Sequence, residues 1–184
     1  MRRALDEVAA SEFRDFVIGS QTRLIKFAEL LTRDLGHAED LVQHAYAKVF
    51  ASWPKLRTGH PEAYARRCIV NGHRDRWRRG SWRESPVEES GDYATGESLS
   101  EENAERDAVL RALGRLTRRE RAAVALKYYY DLSTDEIAFE LGIAAATVRT
   151  TVFRALAKLR EDQHLAPGQH LAPEQHLAPE GKRS

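Results

Sequence analysis

The amino-acid sequence predicts an all-α protein of two small helical domains joined by an acidic, flexible linker, with a helix-turn-helix in the second domain. Three observations carry that prediction. Apolar residues recur at three- and four-residue spacing through residues 11–80 and again through 104–160, the period of helices with one buried face. Two capping boxes, Thr117 with Glu120 and Ser133 with Glu136, stand ahead of apolar runs. Between the two regions the chain is rich in Ser, Gly, Pro, Glu and Asp, and buries too little apolar surface to offset its ordering entropy. The predicted divisions are a first domain over 1–82, a linker over 83–103, a second domain over 104–161 and a tail over 162–184.

In the first domain, Phe13, Phe16, Val17, Leu24, Phe27, Ala28 and Leu31 mark one helix, which Asp34-Leu35-Gly36 is expected to stop. Leu41, Val42, Ala45, Tyr46, Val49 and Phe50 form the stripe of a second helix that ends near Trp53-Pro54. A third begins at Pro61, a favoured first-turn residue, and continues through Ala65, Cys68 and Ile69 to Trp77. Cys68 lies on the apolar stripe and reads as a small buried hydrophobe.

In the second domain, Val109, Leu110, Leu113 and Leu116 mark an amphipathic segment, and Thr117 opens the helix that carries Ala122 to Tyr130. Ser133 opens a short helix through Leu141, which Gly142 ends by supplying a left-handed turn. Val148, Thr151, Val152, Ala155, Leu156 and Leu159 then give the last helix one buried face. A helix-turn-helix needs apolar residues where its two helices cross, and Ile137, Ala138, Leu141, Ile143, Val148 and Val152 stand there. The outward face presents Ala145, Ala146, Thr147, Arg149, Thr150, Phe153 and Arg154. Arginine there can grip guanine or phosphate, and threonine can reach phosphate or a thymine methyl. In the tail, a His-Leu-Ala-Pro unit starts at His164, His170 and His176; the recurring proline blocks a helix, and disorder is the expectation.

The chain holds 29 Lys and Arg against 28 Asp and Glu, but the charges are segregated. From Arg66 to Arg83 seven arginines face a single Asp75, and from Glu84 to Glu105 there are eight carboxylates and no Lys or Arg. A basic helix with Trp77 and Trp82 interleaved suits opened DNA, where guanidinium groups neutralise phosphates and aromatic rings stack on unpaired bases. The single cysteine excludes an internal disulfide, and the sequence has neither a signal-peptide core nor a long apolar run, so the expected setting is cytoplasmic, with no membrane partner. No Walker loop, metal-ligand cluster or nucleophile–base pair is evident; the expectation is a non-enzyme with no cofactor and no metal.

These motifs, in this order, resemble the extracytoplasmic-function sigma factors of bacterial RNA polymerase over residues 11–82 and 104–160. The run Ala38-Glu39-Asp40-Leu41-Val42-Gln43-His44-Ala45-Tyr46 looks like the family's helix for the polymerase clamp. The resemblance implies contact with the core enzyme through Asp40, Leu41, Gln43, His44 and Lys48. The run from Ala63 to Arg79 resembles the region that melts and reads the downstream promoter hexamer, implying single-strand contacts by Asn71, Arg74, Arg76, Trp77, Arg78 and Arg79. The second domain resembles the reader of the upstream hexamer, implying contacts by Thr147, Arg149, Thr150, Phe153 and Arg154. Its implied partners are core polymerase and promoter DNA, with an anti-sigma factor as a candidate regulator; a helix-turn-helix regulator acting without polymerase is the alternative. Three positions depart from the family pattern. Ala144 replaces the usual capping Ser, Thr151 opens a thinned basic run, and His44 replaces a common acidic residue.

Overall fold

The computed structural model describes residues 2–80 and 101–161, with side chains over 7–75 and 103–161. Among them are eight helices and no strand: α1 (Arg2–Thr32), α2 (Leu35–Ala51), α3 (Trp53–Leu56), α4 (Pro61–Gly80), α5 (Glu101–Gly114), α6 (Arg118–Tyr128), α7 (Thr134–Leu141) and α8 (Ala145–Arg160). The all-helical expectation therefore holds. One boundary moves: α1 closes with Arg33 at φ 60°, and Asp34 is not a stop but the N-cap of α2, its Oδ1 accepting from His37 N at 2.7 Å. Leu35 and Gly36 accordingly belong to the first turn of α2.

The apolar stripes of α1, α2 and α4 meet in one core. Leu24, Phe27, Leu31, Val49 and Ile69 are fully buried there, and Trp53 is wedged against Phe13 and Phe16, with ring centres 5.2 and 5.5 Å apart. Tyr46 crosses to α1, its hydroxyl 2.9 Å from Ser20 Oγ. Two stripe residues depart from expectation: Phe50 at the end of α2 and Val109 in α5 are exposed. Cys68 is only half-buried; burial pushes its thiol up, against the opposing influence of Lys48, Tyr64 and Arg67, so the nucleophilic thiolate is disfavoured.

In the second half both capping boxes form. Thr117 Oγ1 accepts from Glu120 N while Glu120 Oε2 accepts from Thr117 N at 2.8 Å, and Ser133 and Glu136 repeat the arrangement. Gly142 takes the left-handed conformation (φ 65°) that turns the chain from α7 into α8. Ile137 and Val148 are buried at that crossing, with Ala138, Leu141, Ile143 and Val152 packed around them. Leu113, Leu116, Val124 and Ala155 form a second, smaller core.

The two halves do not stand apart. Leu126, Tyr130, Leu132, Ile137 and Val148 join the same buried cluster as Leu24, Phe27, Leu31 and Ile69. α1 packs on α6, and α4 touches α7. The sequence suggested only a tether, because linker composition says nothing about side chains that meet across a fold. Helix α5 also starts at Glu101, so residues 101–103 of the predicted linker are helical. The rest of that linker, Trp82, and the tail over 162–184 lie outside the described residues.

Candidate nucleic-acid interface

Three surfaces carry the residues singled out from the sequence. On α2, Asp40, Gln43, His44 and Lys48 are exposed and fall on one stripe. His44 Nδ1 lies 2.7 Å from the Asp40 carbonyl oxygen, which fixes the ring along the helix. Leu41 does not share that surface. It lies on the side of Ala38 and Ala45, both fully buried, and is itself only 9% exposed. Leu41 thus anchors α2 instead of offering its side chain to a partner.

On α4, Asn71 is half-buried and Arg74 exposed, three residues apart on one side. The helix continues through Arg76, Trp77, Arg78 and Arg79, whose side chains lie outside the described residues. At the start of the basic run the arginines turn toward the second half. Arg66, its side chain 11% exposed, gives Nε to Glu140 Oε1 at 2.8 Å and also bonds it through Nη2. The Arg67 guanidinium lies 4.5 Å from the centre of the Phe139 ring.

On α8, Thr147, Arg149, Thr150, Phe153 and Arg154 all face outward, with Phe153 71% exposed. Val148 and Ala155, on the opposite side, seat the helix. Thr150 Oγ1 donates to Ala146 O at 3.1 Å, so its hydroxyl is held by the helix's own backbone. Ala144 occupies the N-cap position with no side-chain bond to the helix, as its sequence implied. Lys158 reaches back from α8 to Glu120, both oxygens at 2.8 Å, and ties the outward-facing helix to the start of α6. Burial raises the Glu120 carboxyl, but the bonds from Lys158 and Thr117 outweigh it and hold the group below its usual 4.5. Thr117, Arg119, Glu120, Thr147, Thr150, Thr151 and Arg154 line a cleft here, with the Glu120 carboxylate among its walls.

The sequence reading missed the residues that join the halves: Arg23, Glu29, Arg106, Tyr129, Tyr130 and Glu140. Glu140 carried one visible signal. It lies three residues after Ile137, on the buried side of α7, and a carboxylate there requires a cation from another element. Among the described residues no group of three or more His, Cys, Asp and Glu is placed to hold a metal ion, and no helix is long and apolar enough to cross a membrane.

A helix-turn-helix with an Arg/Thr outward face, set beside a second helical module bearing its own arginine-rich helix, defines a two-module DNA-binding protein. Comparison with known proteins narrows that class. Residues 18–83 match Sigma-70 region 2, and residues 106–159 match Sigma-70, region 4. The RNA polymerase sigma-E factor of Streptomyces avermitilis is 34% identical over 152 residues, 82% of this chain and 84% of that one. The ECF RNA polymerase sigma factor SigE of Mycolicibacterium smegmatis is 30% identical over 162 residues, 85% of this chain and 63% of that one. Among solved structures, the sigma factor RpoE from Bartonella quintana, in complex with the anti-sigma factor NepR, aligns with a TM-score of 0.60 at 24% identity, covering 81% of this chain and 94% of that one. The chain belongs to the extracytoplasmic-function sigma factors. It is an alternative RNA polymerase sigma factor for promoter-specific initiation, and works with core polymerase and promoter DNA.

Proposed function

We propose a division of labour among the three surfaces. The exposed stripe of Asp40, Gln43, His44 and Lys48 on α2 binds the polymerase clamp, with Leu41 holding the helix from beneath. Asn71, Arg74 and the arginine-rich end of α4 hold the opened downstream hexamer. The outward face of α8, with Arg149, Phe153 and Arg154, reads the upstream hexamer as duplex. The domains run over 1–82 and 104–161, joined by the acidic segment between them. The chain acts in the cytoplasm, adds no catalytic group of its own, and is held in check by an anti-sigma factor until a signal frees it.

The observation that carries this reading is that the α2 stripe and the α8 face are both solvent-exposed while the apolar sides of the same helices are buried. Run-off transcription with purified core enzyme and a promoter library tests it. Initiation above core alone, lost in Asp40→Ala and Arg149→Ala, is the expected result. Tight duplex binding by the free chain with no gain in initiation would point instead to a regulator that works without polymerase.

A further inference from the structure

One turn beyond Arg154 on α8, Lys158 turns back into the protein. Its Nζ lies 2.8 Å from each carboxylate oxygen of Glu120, in the first turn of α6. A lysine on a DNA-binding helix reads at first as a phosphate contact, but this ammonium has two of its three donors engaged by one carboxylate. Lys158 is thus committed inside the second domain.

The place of that carboxylate gives the pair a role beyond stability. Glu120 accepts from Thr117 N at 2.8 Å, which fixes it in the wall of the cleft that Thr147, Thr150 and Arg154 also line. Three residues of the outward face of α8 therefore share a cleft with an acidic group. An unanswered negative charge at such a position repels a phosphate backbone, and a charge largely shielded from solvent is the least screened by salt. The Glu120 side chain is 10% exposed. Burial raises its carboxyl, yet the bonds from Lys158 and Thr117 hold it below the usual 4.5, so the group is ionised at neutral pH. Nor is the carboxylate dispensable, because it closes the capping box that starts α6. Arg119 and Arg154 line the same cleft and are exposed, but the cation that bonds Glu120 is Lys158.

We propose that Lys158 is a positioning residue for upstream-duplex recognition: it neutralises Glu120, so that Thr147, Thr150 and Arg154 approach the phosphate backbone beside a neutral pair instead of a bare carboxylate. Lys158 acts through Glu120 and does not touch DNA. The inference rests on the duplex-reading role given to α8 above.

The test uses the full-length chain bound to core polymerase and a fluorescent duplex whose upstream hexamer is selected by transcription from the promoter library. Lys158→Met, which keeps a long apolar stem, is expected to lower affinity for that duplex by about fivefold. Adding Glu120→Gln removes the charge that Lys158 answers, keeps an oxygen for Thr117 N, and is expected to recover most of the loss. Glu105 is an exposed carboxylate of α5 outside the cleft, so Lys158→Met with Glu105→Gln has the same net charge and is expected to stay weak. Thermal melting supplies the second readout. Lys158→Met and its Glu120→Gln double variant both lack the ion pair, so their melting temperatures should lie together while their duplex affinities separate. Affinity and melting temperature recovering in step would reduce the pair to a structural brace and overturn the proposal. So would affinity unmoved by Lys158→Met, or recovery by Glu105→Gln as complete as by Glu120→Gln. No recovery by Glu120→Gln would also overturn it, by placing the ammonium on a phosphate. Undiminished duplex binding in Arg149→Ala would instead overturn the reading of α8 on which the inference rests.

Discussion

Replacing Glu120 by Ala removes a carboxylate that does two things at once. It accepts from Thr117 N at 2.8 Å and receives Lys158 Nζ on both oxygens at 2.8 Å, while the backbone N–H of residue 120 keeps its bond to the Thr117 hydroxyl. The Glu120 side chain is 10% exposed, whereas the Lys158 side chain is 43% exposed, so the pair is screened from one side. Loss of the hydrogen bond from Thr117 N, the side-chain half of the capping box, costs about 1 kcal/mol. Loss of a partly exposed ion pair costs about 0.5–1 kcal/mol. The sum, about 2 kcal/mol, corresponds to a Tm lower by about 4–8 °C for a chain of this size. The pH dependence has a definite sign. The folded carboxyl is held below its ordinary 4.5, so its stabilising contribution is fully present above that pH and fades as pH falls through the lower folded value. Thermal unfolding of wild type and Glu120→Ala followed by circular dichroism should differ most above about pH 5 and converge as the pH falls through the depressed folded value. An equal Tm at pH 7, or a difference that persists undiminished in acid, would refute the assignment of Glu120 as the brace between α6 and α8.

Arg149→Ala should weaken binding of the upstream duplex by about 1–3 kcal/mol, roughly tenfold to a hundredfold, leaving core-polymerase affinity unchanged; fluorescence anisotropy on duplex and a core pull-down separate the two. Asp40→Ala should do the reverse, lowering core affinity without altering duplex binding by the second module. Ala144→Ser adds an acceptor at the uncapped start of α8, where the backbone is already extended (φ −68°, ψ 146°), and should raise the unfolding free energy by about 1 kcal/mol in urea titration.

What the sequence made legible is what is local. Helical period, the two capping boxes and the Gly142 turn each depend on residues within a few positions of one another, and each forms as read. The same holds for the outward face of α8, because burial of Val148 and Ala155 dictates which neighbours point away. Leu41 shows the limit of motif reading: the clamp-helix run from Ala38 to Tyr46 includes positions on both sides of the helix, and only the period tells the anchor from the surface. Asp34 failed as a stop because a capping residue that opens one helix also stands directly after another. Docking of the halves was not legible, since Glu29 with Arg106 and Arg66 with Glu140 lie far apart in sequence and depend on how α1 and α4 are already packed. Nothing in a single chain's spacing reports such pairs, beyond the misplaced carboxylate of Glu140 on the buried side of a short helix.

The near-zero net charge acquires a physical meaning from these contacts. Arginines that would make a uniformly basic strand-binding surface are partly consumed inside the molecule, on Glu140, Phe139 and Tyr130. The residues that join the halves are ion pairs and aromatic rings around one apolar core, in which Leu126, Leu132, Ile137 and Val148 share a buried cluster with Leu24, Phe27, Leu31 and Ile69. The ion pairs carry a desolvation cost that a well-packed apolar pair at the same positions would avoid. Charged partners here hold these arginines inside the molecule, which leaves fewer cations on its surface to attract a polyanion.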